Sequence, residues 1–212
     1  VGKRELELLY ESGCRYFALS PESASKKVLD LMNKPVDLEH VKKVVRMCHK
    51  LGIKVNCNFV LGFPGEERID RKKTYRFIRK LVKLGLDEIV AFMLTPLPKT
   101  DVEGLMPEDL EYENINFSPT WRENYKLITR ARIWIYLQFI FLKALWHPLK
   151  FLDSIKSVFT RKFKLKSDMT VYRFLVDFRD RHLLSVFSGR SDPEISEVEW
   201  IPPDNKKEES RL

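Results

Sequence analysis

The sequence predicts an α/β fold with parallel strands, either a portion of an α/β barrel or an open α/β sheet, followed by an α-helical extension. Three observations predict it. An amphipathic helix closed by glycine and followed by a short β-rich run occurs three times before Thr100. The β-rich runs lie roughly 30 or more residues apart, the spacing that a strand and its crossover helix require. From Trp121 onward the chain returns to helical periodicity, and no further strand pattern follows.

The first helix is predicted over Lys3 to Ser12, ends at Gly13 and leads into Arg15 to Ser20 (RYFALS). The second unit ends at Gly52 and leads into Ile53 to Leu61 (IKVNCNFVL); the third ends at Gly85 and leads into Glu88 to Thr95 (EIVAFMLT). Helices between successive strands impose parallel pairing with right-handed crossovers, and cover the sheet on its outer face. A closed barrel takes eight such units in about 250 residues, so three leave it incomplete. The chain begins at Val1 inside a predicted helix, and the remaining strands are expected upstream.

Residues 1–100 thus form the α/β segment. A Pro-rich loop over 101–120 follows, because proline removes a backbone donor and fixes φ. Residues 121–187 are predicted as a basic, aromatic helical extension, and 188–212, charged and poor in apolar residues, as a disordered tail. Of 212 residues, 44% are hydrophobic and 12% aromatic, which suffices for a sizeable core. Lys and Arg outnumber Asp and Glu by 38 to 30, a net charge of +8. Either an acidic partner or simply a lysine-rich solvated surface accounts for that excess. Cys14, Cys48 and Cys57 lie in apolar patterns without close pairing, which supports neither a disulfide framework nor a metal knuckle. No signal peptide is visible, and a reducing cytoplasm is the expected compartment.

Strand alternation puts Ala18, Ser20 and Glu22 on one face of the first strand, and Asn56, Asn58, Val60 and Gly62 on one face of the second. Val55, Cys57, Phe59 and Leu61 form the opposite, apolar face, suited to packing under helices. Several polar groups turned into a sheet cost about 1 to 3 kcal/mol each if unpaired. A polar ligand, or pairing among the groups themselves or with water, meets that cost. Ser20, Glu22 and Asn58 lie toward the C-terminal strand ends, where parallel α/β folds bind ligands. In the loop Leu61-Gly62-Phe63-Pro64-Gly65-Glu66, the glycines would let a flat ligand approach the backbone, or serve turn geometry alone; Glu66 suits the start of the next helix.

The blocks YFALSPESASKKVL (16–29), Met32-Asn33-Lys34, Cys48 to Ile53, FVLGFPGE and LTPLPKT together resemble the second half of a radical S-adenosylmethionine (radical SAM) barrel. The order and spacing are similar to the subgroup of methylthiotransferases and cobalamin-dependent enzymes, over about Lys3 to Thr100. The resemblance implies that Ser20, Glu22 and Ser23 touch the ribose or methionine part of S-adenosylmethionine. It places Asn58, Val60 and Gly62 near the ribose and adenine, and Leu94 and Thr95 along the adenine edge. Pro21 stands where a small aliphatic residue is usual, and Lys99 where a glycine is common. The implied cofactors are S-adenosylmethionine, a 4Fe-4S cluster and, in the cobalamin-dependent members, cobalamin.

Such a cluster takes three thiolates, usually as CxxxCxxC, and Cys14, Cys48 and Cys57 lack that spacing. The chain by itself is therefore expected to be inactive, with the cluster ligands in an upstream barrel segment or a partner. His40, His49, His147 and His182 share no metal-ligand spacing and read as surface or core residues. The implied reaction of the parent enzyme is reductive cleavage of S-adenosylmethionine and hydrogen abstraction by a 5′-deoxyadenosyl radical. The expected outcome is modification, such as methylation, of a hydrophobic or lipid-like substrate. The methylthiotransferase branch fits less well, since nothing after the barrel segment reads as a small β-barrel. A second class is a non-catalytic half-barrel that serves as a scaffold.

Ile133 to Leu142 (IWIYLQFIFL) is apolar, but Lys143, His147 and Lys150 interrupt it before the ~20 residues of a membrane span. Flanked by Arg130, Arg132, Lys156, Arg161, Lys162, Lys164 and Lys166, it reads either as an interfacial helix on a membrane surface or as a helix packed on the rest of a barrel. Nucleic acid is not expected, because the aromatic residues are clustered rather than dispersed among the cations.

Overall fold

Each glycine-closed helix of the sequence hands the chain to a strand. The elements are α1 (Lys3–Glu11), β1 (Tyr16–Glu22), α2 (Lys26–Leu31), α3 (Leu38–Leu51), β2 (Lys54–Leu61), α4 (Arg68–Lys83) and β3 (Glu88–Met93). A 3-10 turn (Glu103–Leu105) and three helices follow: α5 (Tyr125–Trp146), α6 (Pro148–Thr160) and α7 (Lys166–Phe187). This computed structural model describes residues 1–97, 99–105 and 119–187. Most of the Pro-rich segment (106–118) and the charged tail (188–212) lie outside the described residues.

Local chemistry sets the helix ends. The Asp37 carboxylate accepts the N–H groups of Glu39 (2.8 Å) and His40 (3.0 Å), the pattern of an N-cap. Gly85, at φ +102°, ends the turn after α4, and a Cβ there would lie 2.3 Å from His49 Cγ, so both the backbone and the neighbouring ring require glycine.

The three strands pair in parallel in the order β1-β2-β3. Register runs Leu19 to Cys57 and then Glu22 to Phe59, so β1 carries one extra residue, a bulge at its C-terminal end. On the outer face Val55, Cys57, Phe59, Leu61, Ile89, Ala91 and Met93 are buried, packed in one core with Val44, Val45, Phe77, Leu81 and Val82 of α3 and α4. On the inner face Ala18, Ser20 and Phe92 are exposed, and among the described residues the three-stranded sheet does not close into a barrel.

Helix α5 covers the free edge of β3. The Ala91 N–H donates to Tyr136 Oη (3.0 Å), while Ile128, Ile135, Phe139 and Leu142 turn inward. An uncovered edge would present unpaired backbone groups, which explains why a helix takes this place. At the opposite end of the strands, the buried Asp87 carboxylate accepts from Lys150 Nζ (2.8 Å), Lys54 Nζ (3.3 Å) and the Val55 N–H (3.1 Å).

The chain divides into two compact units, Val1–Leu152 and Asp153–Leu212, with the boundary inside α6. Residues 121–152, grouped by sequence with the extension, therefore belong with the sheet, because β3 and α4 receive the apolar side of α5. Within the second unit, Lys164 pairs with Asp153 (3.1 Å), Ser157 Oγ donates to the Lys162 carbonyl (2.7 Å), and Phe163 packs on Tyr172 at 5.4 Å.

Candidate functional site

The inner face of the sheet carries a connected polar row. Asn56 Nδ2 donates to Asn58 Oδ1 (2.8 Å), and Asn58 Nδ2 donates to Ser20 Oγ (3.1 Å), joining β2 to β1. Tyr16 Oη donates to Glu88 Oε2 (2.6 Å), joining β1 to β3. Burial first, and then the Glu88 carboxylate, push the Tyr16 phenol upward, so it stays protonated and keeps donating. Asn56 Oδ1 is buried without a hydrogen-bond partner among the described residues. The row is an acceptor short of one donor, and a ligand hydroxyl or ammonium group supplies such a donor.

The structure brings Ser20 and Asn58 into direct contact, on the face that strand alternation assigns them. Glu22 follows at the bulge, in the left-handed region at φ +59°, with Lys34 bonded to its Oε1. A non-glycine residue held there stores strain of about 1 to 3 kcal/mol, a cost found most often at functional sites. Ser23 is fully buried; its Oγ accepts the Ser25 N–H (3.1 Å) and contacts Thr74 Oγ1 of α4 (3.4 Å). Its hydroxyl therefore serves the start of α2 and is not presented on the inner face.

Val60 is partly exposed, in register with Phe92 of β3. Gly62 (φ +77°) and Gly65 (φ +78°) need glycine for backbone reasons. The room that they leave is taken by protein: a Cβ on Gly62 would meet Ile128 Cγ1 at 3.3 Å, and one on Gly65 would meet Leu31 Cδ1 at 3.0 Å. The alternative of turn geometry fits these glycines better than a ligand cleft. The Leu94 N–H donates to the Leu61 carbonyl (2.9 Å), and Thr95 Oγ1 lies 3.5 Å from the Met93 carbonyl.

Sequence reasoning missed Arg122. Its Nη1 donates to the Leu94 carbonyl (2.6 Å) and its Nη2 to the Gly62 carbonyl (2.7 Å), tying together the C-terminal ends of β3 and β2. Desolvation lowers its pKa, opposed by the charge of nearby Glu66. Glu66 does not act as a helix-terminal charge as expected: its side chain is buried, and its Oε2 accepts the Gly62 N–H (2.7 Å) and faces Arg71 (3.4 Å). Burial raises its pKa, and Glu66 Oε1 has no hydrogen-bond partner among the described residues. Both backbone polar groups of Gly62 are thus engaged by protein side chains. Lys99, in place of the family's glycine, sits at φ +60°, which accounts for that preference.

Cys48 and Cys57 are buried free thiols and Cys14 is partly exposed. Burial pushes the Cys48 thiol up to about 11 and the Cys57 thiol up to about 12, whereas a ligand must be a thiolate. Among the described residues no group of three or more His, Cys, Asp or Glu is placed to hold a metal ion. His49 and His147 meet edge to face at 5.5 Å, and His147 Nε2 lies 2.8 Å from the Val82 carbonyl, a packing role. Burial, and then Lys150, lowers the His49 pKa.

Residues 1–78 match the family described as Radical SAM superfamily. An uncharacterized protein of Methanocaldococcus jannaschii is 30% identical over 91 residues, 43% of this chain and 18% of the relative. A tRNA-2-methylthio-N(6)-dimethylallyladenosine synthase of Buchnera aphidicola is 32% identical over 92 residues, 42% of this chain and 20% of the relative. The chain thus spans about a fifth of the length of these two relatives. Among solved structures, the radical SAM enzyme coproporphyrinogen III oxidase of Escherichia coli aligns with 62% of this chain and 30% of its own, at a TM-score of 0.43 and 16% identity. The polar row Ser20, Asn56 and Asn58 thus lies within residues 1–78, the stretch that matches the radical SAM superfamily.

Proposed function

We propose that the inner face of this sheet holds S-adenosylmethionine in a radical SAM enzyme whose cluster ligands lie outside these residues. The observation that carries this reading is the row Asn56–Asn58–Ser20 with its orphaned acceptor, Asn56 Oδ1. A ribose hydroxyl or the methionine ammonium group offers the missing donor, and Glu22 at the strand end supplies a carboxylate. Val60, Leu94 and Thr95 would flank the adenine. The proposed chemistry of the whole enzyme is hydrogen abstraction by a 5′-deoxyadenosyl radical. The proposed product is a modified, for example methylated, hydrophobic or lipid-like substrate, with cobalamin as a further cofactor of the cobalamin-dependent type. The Buchnera relative is named for methylthio chemistry on tRNA, which supports sulfur or methyl transfer as the reaction class.

Equilibrium dialysis with labelled S-adenosylmethionine tests the reading. A lost hydrogen bond is worth about 1 kcal/mol and one to a charged group up to about 3 kcal/mol. Asn58→Ala should therefore weaken binding roughly fivefold and Glu22→Ala more, with circular dichroism unchanged. Unaltered affinity in both variants sinks the assignment. Absence of binding by the wild type, with the polar row intact, favours the second reading of a non-catalytic half-barrel scaffold.

A further inference from the structure

Helix α4 carries Arg68, Arg71, Lys72, Arg76 and Arg79 at spacings of three and four, so they share one face. With Arg130 of α5 they line a groove of about 560 Å³ between the two helices, completed in part by Leu127 and Trp134. Arg71 is spent on Glu66. The other five cations form no ion pair among the described residues. Like charges three and four residues apart on a helix face are neighbours and repel one another unless an anion neutralises them.

The groove does not end in polar surface. Leu127, Trp134, Phe141 and Leu145 recur at spacings of seven and four on α5, which aligns them along one side of the helix. Trp134 is 54% exposed, Leu137 56% and Phe141 66%. Contiguous apolar exposure of this kind marks an interaction surface. No helix among the described residues is long and apolar enough to cross a membrane.

We infer that the α4–α5 groove docks onto an anionic lipid bilayer surface, with lipid phosphates among the α4 cations and the Trp134–Phe141 side of α5 in the headgroup region. Basic groups beside exposed aromatic and aliphatic side chains match an interface that is anionic at its surface and apolar just beneath. A nucleic acid would satisfy the cations but leave Leu137, Phe141 and Leu145 unburied. A second copy would bring a net charge of +8 against the same positive face. The cations come chiefly from α4, inside the segment that carries the sheet, so docking would orient the sheet itself.

The test is co-sedimentation of the whole chain with phosphatidylglycerol/phosphatidylcholine vesicles and with pure phosphatidylcholine vesicles. The expected result is binding to the anionic vesicles alone, weakened at least tenfold by Arg76→Glu/Arg79→Glu and by raised salt. Brominated acyl chains should quench tryptophan fluorescence in the wild type and less in Trp134→Phe. Circular dichroism establishes that the variants are folded; the substituted arginines are exposed. Equal binding to both vesicle types, undiminished binding by the double variant, or retention by single-stranded RNA with none by vesicles overturns the inference. Failure of this test leaves the S-adenosylmethionine reading intact, since the polar row lies on the inner face of the sheet.

Discussion

Two carboxylates at the start of α4 respond to pH in opposite directions. The Ser25 hydroxyl, bonded to Asp70 Oδ1 at 2.6 Å, holds the Asp70 carboxyl below its ordinary value of 3.8. Asp70 therefore contributes stability above that pH, and the contribution is lost as pH falls through its folded value. Burial instead raises Glu66 above its ordinary value of 4.5, so its contribution is fully present below pH 4.5 and is lost as pH rises toward its folded value. Denaturant unfolding across pH 2 to 8 should show Asp70→Asn losing less stability on acidification than the wild type, and Glu66→Gln losing less between pH 4.5 and neutrality. Parallel curves for all three proteins would contradict both assignments. Among the site residues, period-two alternation made Ser20, Asn56 and Asn58 legible in the sequence, because a strand puts alternate residues on one face. Ser23, expected at the ligand only from the family resemblance, is instead buried against Ser25 and Thr74, contacts that a strand pattern does not display. Arg122 carried no signal: its partners are backbone carbonyls at Gly62 and Leu94, and any residue presents a carbonyl.

At the scale of elements, α5 acts as the cover of the sheet edge. Tyr136→Phe removes the acceptor of the buried Ala91 N–H and should cost about 1 to 3 kcal/mol in denaturant unfolding, the price of one unsatisfied buried donor. An unchanged midpoint would show that water or another group takes over. The sequence leaves open whether the aromatic run packs on the protein or meets a membrane surface; in the structure one side of α5 packs on the sheet and the rest is exposed. Ile128, Ile135, Phe139 and Leu142 are buried, while Trp134, Leu137 and Phe141 remain exposed. Apolar residues on both sides blur the amphipathic signal that would otherwise have decided between the readings. Strand positions were readable to within about two residues because glycine-closed helices bracket each one.

For the whole molecule, three parallel strands lie under α3 and α4, with a polar row on the inner face of the sheet and a basic groove between α4 and α5. The role proposed for the inner face is to hold S-adenosylmethionine. The most direct measurement is a titration with S-adenosylmethionine monitored by ¹⁵N-resolved nuclear magnetic resonance, reading the side-chain amides of Asn56 and Asn58. Saturable shifts of both resonances, lost in Ser20→Ala/Asn58→Ala for the remaining Asn56 signal, are the predicted result. Unmoved Asn56 and Asn58 amides in a folded chain at millimolar ligand, or shifts confined to α4 and α5, would contradict the account.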